Sequence, residues 1–153
     1  MPKDSVQNCK YDSIIRPTAI LDNSSWTTRE IDTKGWDYAE IIFFLGATDI
    51  DITALAVTES DVTASGHANI TGCVSGTSTD IAGTTTVLPA ATDDNTFTVF
   101  QIDLRGRKRF LDLTATIGNG TVGGYAACFI RLSRGEIQPN TSAEAGCDFL
   151  MRV

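Results

Sequence analysis

Phe110-Leu111-Asp112-Leu113-Thr114-Ala115-Thr116-Ile117 alternates without a break, Leu111, Leu113, Ala115 and Ile117 on one side and Asp112, Thr114 and Thr116 on the other. A period of two residues marks an extended strand with one buried face. Just upstream, Phe97 to Leu104 repeats the pattern, with Phe100, Ile102 and Leu104 on one side. Ile52 to Glu59 alternates too, with Leu55 and Val57 on one face and Thr53 as their polar companion. Tyr38 to Leu45 is almost continuously apolar and reads as a strand buried on both sides. Thr18 to Leu21, Trp26 to Ile31, Ile70 to Val74, Thr85 to Leu88 and Gly123 to Leu132 complete the candidate strands. Gly118-Asn119-Gly120 has the residues of a tight hairpin turn.

No stretch sustains the apolar stripe of a helix. The pattern predicts an all-β fold: a two-sheet antiparallel β-sandwich, with the jelly roll among its arrangements, and extended N- and C-terminal arms. The expected divisions are an arm over residues 1–16, the sandwich over 17–133 and a tail over 134–153. Residues 60–96, rich in Ser, Thr, Gly, Asn and Asp, read as a decorated loop region in which apolar residues keep recurring.

Composition narrows the function. The 153 residues carry a net charge of −7, and 14 of the 19 acids are Asp. There are 21 Thr; Thr suits a pleated surface and Asp suits turns. An acidic chain lacks the cationic face that nucleic-acid backbones require, so no nucleic-acid partner is expected. The longest apolar run, Ile41 to Leu45, is far too short to cross a bilayer as a helix, and no membrane partner is expected. Met1-Pro2-Lys3-Asp4-Ser5 does not resemble a signal peptide. Cys9, Cys73, Cys128 and Cys147 form no CxxC pair, which argues against a zinc ribbon or redox motif. An even count permits two disulfides, but no export signal supports them, and reduced thiols are expected before disulfides or a metal.

Residues capable of chemistry are sparse. His67, the single histidine, lies in a small-residue loop with no nucleophile-elbow motif near it, and reads as a solvated or turn residue. A hydrolase would have to use it. Asp49-Ile50-Asp51 and Asp93-Asp94-Asn95 gather oxygen ligands as calcium loops do, but without EF-hand spacing; turn-forming Asp gives the same pattern. No catalytic residue, metal ligand or cofactor is assigned. Arg105, Arg107, Lys108 and Arg109 put four cations in five residues between two strands. They could grip an acidic partner, or form a solvated hairpin turn paired with Asp103 and Asp112. Phe149, Leu150 and Met151 give the tail an apolar tip that wants a partner surface. Trp26, Trp36, Tyr38 and Tyr125 could build a sugar-stacking platform, although a Trp at the start of a strand more often plugs the end of a sandwich.

Two stretches carry a resemblance. One is Asp32-Thr33-Lys34-Gly35-Trp36-Asp37-Tyr38-Ala39, leading into an apolar strand and Gly46-Ala47. The other is Ile102-Asp103-Leu104-Arg105-Gly106-Arg107-Lys108-Arg109-Phe110-Leu111, leading into Leu113 to Ile117. Val57-Thr58-Glu59-Ser60-Asp61 lies between them at a strand end. This layout resembles small β-sandwich proteins of tailed bacteriophages and prophages that decorate or cement the capsid. The likeness spans residues 30–133, with the 60–96 insert and both termini outside it.

The resemblance implies a non-enzymatic virion protein on the capsid exterior, made in the bacterial host cytoplasm and partnered by the major capsid protein. A homo-oligomer, trimer before dimer, would match the local symmetry axes of a shell. The contrasting expectation is a carbohydrate-binding or adhesion module on a head fibre, tail or spike.

Overall fold

A computed structural model describes residues 7–151. Among these residues eight strands form two antiparallel sheets: β1 (Cys9–Ile15), β2 (Ile31–Asp32), β3 (Tyr38–Thr48), β4 (Ile52–Ser60), β5 (Ala68–Val74), β6 (Thr96–Asp103), β7 (Phe110–Ile117) and β8 (Gly124–Ser133). Sheet A runs β1-β8-β3-β6 and sheet B runs β2-β7-β4-β5. The first strand pairs with the last, the second with the seventh, the third with the sixth and the fourth with the fifth. One long hairpin wound round on itself gives this order, which is that of a jelly roll.

The alternating positions read from sequence form the core. Leu111, Leu113, Ala115 and Ile117 of β7 face Ala39, Ile41, Phe43 and Leu45 of β3 in one buried cluster, with Phe100, Ile102 and Leu104 beside them. Trp26 meets Phe43 edge-on, ring centroids 6.0 Å apart. Trp36 is half-buried against this core, with the Gly135 backbone against its ring, and so plugs one end of the sandwich.

Several expectations need correction. Within the expected N-terminal arm, Cys9–Ile15 is an edge strand paired to β8, with a bulge that inserts the fully buried Ile14; residues 1–6 lie outside the described residues. Thr18 to Leu21 is no strand and makes a single bridge, Leu21 to Gly124. Of Trp26 to Ile31 only Ile31 lies in a strand, while Ser25 and Trp26 follow the β7 edge through bonds to Thr116 and Ala115. Thr85 to Leu88 contributes one bridge, Thr79 to Thr85. Gly118-Asn119-Gly120 turns no hairpin, because β7 and β8 belong to different sheets and residues 118–123 cross between them. Glycine is needed there for space: a Cβ on Gly120 would stand 2.5 Å from an Asp49 carboxylate oxygen.

Candidate interaction site

The cation run also crosses between sheets, from β6 to β7, and every arginine in it is held by a carboxylate of this chain. Arg105 grips Asp103 with its guanidinium and backbone N–H, holding that carboxyl down to about 2, and lies 5.6 Å from the Tyr38 ring centre. Arg107 reaches Glu59 Oε1 at 3.1 Å, and the Lys108 backbone N–H donates to Glu59 Oε2. Arg109 donates to both Asp32 oxygens, at 2.9 and 2.6 Å, with Phe110 under its guanidinium. The expected pairing with Asp103 is therefore present, and that with Asp112 is not: Asp112 Oδ1 accepts the Leu113 N–H. Its place is taken by Asp32 and Glu59, which strand pairing sets opposite Phe110 and Leu111. The run fastens one end of the sandwich, and of its four cations Lys108 alone forms no ion pair through its side chain among the described residues.

The loop carboxylates serve the same structural purpose. Asp49 accepts the backbone N–H groups of Val122, Thr121 and Gly123, each at 2.8 Å, and these bonds lower its pKa. Asp51, Asp93 and Asp94 accept from Ala91, Ala90 and Thr48. Among the described residues no group of three or more His, Cys, Asp or Glu converges as metal ligands would.

His67 does belong to a turn, but its side chain is largely withdrawn from solvent. Its Nε2 lies 2.6 Å from Glu30 Oε2, its Nδ1 lies 3.4 Å from Thr58 Oγ1, and Glu30 also accepts from Thr63 and Ala64. The order hydroxyl, imidazole, carboxylate superficially resembles a catalytic triad. Thr58 is buried at 7% exposure, so its hydroxyl has no approach for a substrate. The network pins the 61–67 turn to the segment leading into β2.

The expected tail is docked over most of its length. Residues 141–147 make a helical turn in which Glu144 N–H donates to Thr141 Oγ1 while the Glu144 carboxylate accepts from Asn140 and Thr141. This reciprocal arrangement is a capping box. Ala145 is fully buried and accepts the Tyr11 N–H of β1 at 2.8 Å. Beyond it Leu150 is half-buried, with its N–H on Ser142 Oγ, whereas Phe149 and Met151 stand 85% and 86% exposed.

A second apolar surface was invisible in the sequence. On the outer face of sheet A, strand register lines up Phe97 with Phe44 and Ala127, and Val99 with Ile42 and Phe129. The Phe44 and Phe97 rings stack, centroids 6.4 Å apart. Phe97 is 64% exposed and Phe129 45%, with Tyr125 at the same end of the sheet. At ~200 Å² per aromatic side chain, the four rings expose roughly 400 Å². An ordinary monomer's largest apolar patch is about that size and is often functional. The expectation that Tyr38 to Leu45 is buried on both sides thus fails on this face, where Phe44 meets solvent. At the other end of the face Glu40 pairs with Arg131 at 3.2 Å.

The four aromatics proposed as a sugar platform do not share a surface: Trp26 is in the core, Trp36 plugs the sandwich end, and the Tyr125 hydroxyl donates to Pro17 O. No protein family, curated protein or solved structure matches this chain.

Proposed function

We propose that the chain is a non-enzymatic virion structural protein, a cement or decoration protein that binds the outer surface of a tailed-phage capsid and bridges its capsomers. The observation that carries the reading is the apolar outer face of sheet A, where Phe44, Phe97, Val99 and Phe129 lie in register and are covered by no element among the described residues. A sandwich that fills its core and still leaves aromatics on one flat face is built to meet another surface. The layout of residues 30–133, which resembles capsid decoration proteins, supplies the partner, the major capsid protein. Jelly rolls occur in both viral shells and lectins, so the fold itself does not choose between them. The carbohydrate alternative loses its platform to the burial of Trp26.

Co-sedimentation with assembled capsids tests the reading. The native protein should pellet with shells, and Phe129→Asp, which places a charge at the centre of the face, should stay in the supernatant while melting as the native protein does. A native protein that is absent from purified particles and does not pellet with capsids would overturn it.

A further inference from the structure

At the side of the sandwich away from β1, the last strands of the two sheets, β6 and β5, leave a cleft of about 630 Å³ between them. Its walls are residues 98–101 of β6 and 72–75 of β5, with Glu40 of β3 at one side and residues 78–81 and Thr86 of the β5–β6 connection completing the lining. Successive residues of a strand point to opposite faces, so a cleft lined by consecutive residues meets the backbone edge of each strand. β6 is hydrogen-bonded on one side only, to β3, in an unbroken register. From Thr96 to Ile102 it contains no charge, proline or glycine. Edge strands of this length are normally guarded by a lysine, a proline or a bulge. This one has none, and it offers the template on which an extended peptide adds as a further strand.

A matching peptide sits at the opposite edge of the same sheet. Residues 141–147 are docked on β1, and Phe149 and Met151 project from that edge almost fully exposed. β1 and β6 are three strand spacings apart, about 14 Å. Met151 is one residue beyond the Leu150 N–H that Ser142 holds at 2.8 Å, so the segment reaches the cleft of its own copy only by tearing loose from both anchors. Apart from the Cys73 thiol, the ionisable groups lining the cleft are Glu40 and Asp80, both acidic. Phe149-Leu150-Met151-Arg152 brings apolar side chains and a cation.

We propose that the segment Phe149–Met151 of one copy pairs with the β6 edge in the cleft of a second copy. The contact is head-to-tail, so copies close into an exchanging pair or a ring, the smallest ring being a trimer. The inference deepens the structural-protein reading by naming the first partner as the chain itself.

Light scattering on the full chain across a concentration range, joined to binding of a fluorescent peptide of residues 148–153, tests it. The native chain should be a closed oligomer. Phe149→Asp/Met151→Asp on the donor side and Val99→Lys on the acceptor side should each give monomers. The donor variant changes only exposed side chains, so its unchanged melting shows that the sandwich is intact. The peptide should bind that variant, whose clefts are empty, and bind Val99→Lys about tenfold more weakly or worse. A monomeric native chain, a donor variant with the native mass, or peptide binding indifferent to Val99→Lys overturns the proposal. A monomer that still pellets with capsids overturns it while leaving the cement reading intact; an oligomer that does not pellet does the reverse.

Discussion

Arg107 and Glu59 close one end of the sandwich, Nη2 to Oε1 at 3.1 Å, with 33% of the arginine side chain and 11% of the glutamate side chain exposed. Glu59 lies in line with Leu111 of β7, on the side of sheet B that faces the core. The connection crossing between the sheets folds back onto this carboxylate, bringing the Arg107 guanidinium and the Lys108 backbone N–H to it.

Removing the arginine leaves that carboxylate without its cation. Arg107→Ala should destabilise the fold by about 2 kcal/mol, the range for orphaning a mostly buried polar group. Adding Glu59→Gln should return part of the loss, because a neutral amide costs less to desolvate. Urea denaturation of the two single variants and the double variant measures the coupling. Strictly additive effects would show that the pair does no more than its separate members.

That pair also marks how far the sequence could be read. The cations stand out at once in the run from Arg105 to Arg109, and Asp103, two residues away, is the obvious partner for Arg105. Asp32 and Glu59 are remote in sequence and become neighbours only when β2 and β4 flank β7. β6 and β7 are legible because one face is buried and the other wet, so alternation survives. β3 misleads because Ile42 and Phe44 are apolar on its outer side too. β1 escapes notice because its bulge at Ile14 breaks the period and Lys10 and Asp12 give an edge strand the look of an arm. The apolar outer face of sheet A is assembled from three strands, which no single window of sequence contains.

Acid should destabilise the protein. The Arg105 guanidinium holds Asp103 down at about 2, the Arg109 guanidinium lowers Asp32, the Val122, Thr121 and Gly123 amides lower Asp49, and the Thr63 hydroxyl lowers Glu30. Below the ordinary carboxylate pKa of about 4, the unfolded chain binds protons that the folded chain still refuses, so falling pH favours unfolding. Stability from these groups should be complete above pH ~5 and drain away as pH falls towards 2. Melting temperatures from pH 7 to pH 2 check this. Because these carboxylates lie largely at the surface, high salt should flatten the curve.

The tail's attachment rests on one backbone position. Gly146 has φ +76°, and a Cβ there would fall on the Tyr11 carbonyl oxygen. Gly146→Ala should therefore undock residues 141–151 from β1 while the sheets stay paired. Limited proteolysis should cut the variant near residue 146 at a protease concentration that spares the native chain. Equal resistance would mean that the capping box at Thr141 and Glu144 holds the tail by itself.

Thiol chemistry should sort the cysteines by depth. Burial pushes the Cys128 thiol up to about 12 and raises that of half-buried Cys73. Since the thiolate is the reactive form, a maleimide at pH 7 should label Cys147 first, Cys73 slowly and Cys128 only in urea. Peptide mass mapping reads the order. Early labelling of Cys128 would mean that sheet A opens far more readily than its packing allows.

Trp26 separates a core role from a sugar-binding one. It is 6% exposed, lies edge-on to Phe43, and its indole N–H has no hydrogen-bond partner among the described residues. Trp26→Ala should cost about 3–5 kcal/mol, as deletion of a large buried ring does. Trp26→Phe should cost much less, because it keeps the edge contact while removing a donor that is buried without an acceptor. A satisfied donor in a binding groove would give the opposite result, with Phe nearly as damaging to sugar binding as Ala and neither change unfolding the protein. Denaturant midpoints for the two variants therefore decide what the tryptophan is for. A large gap between Phe and Ala places its whole value in packing against β3.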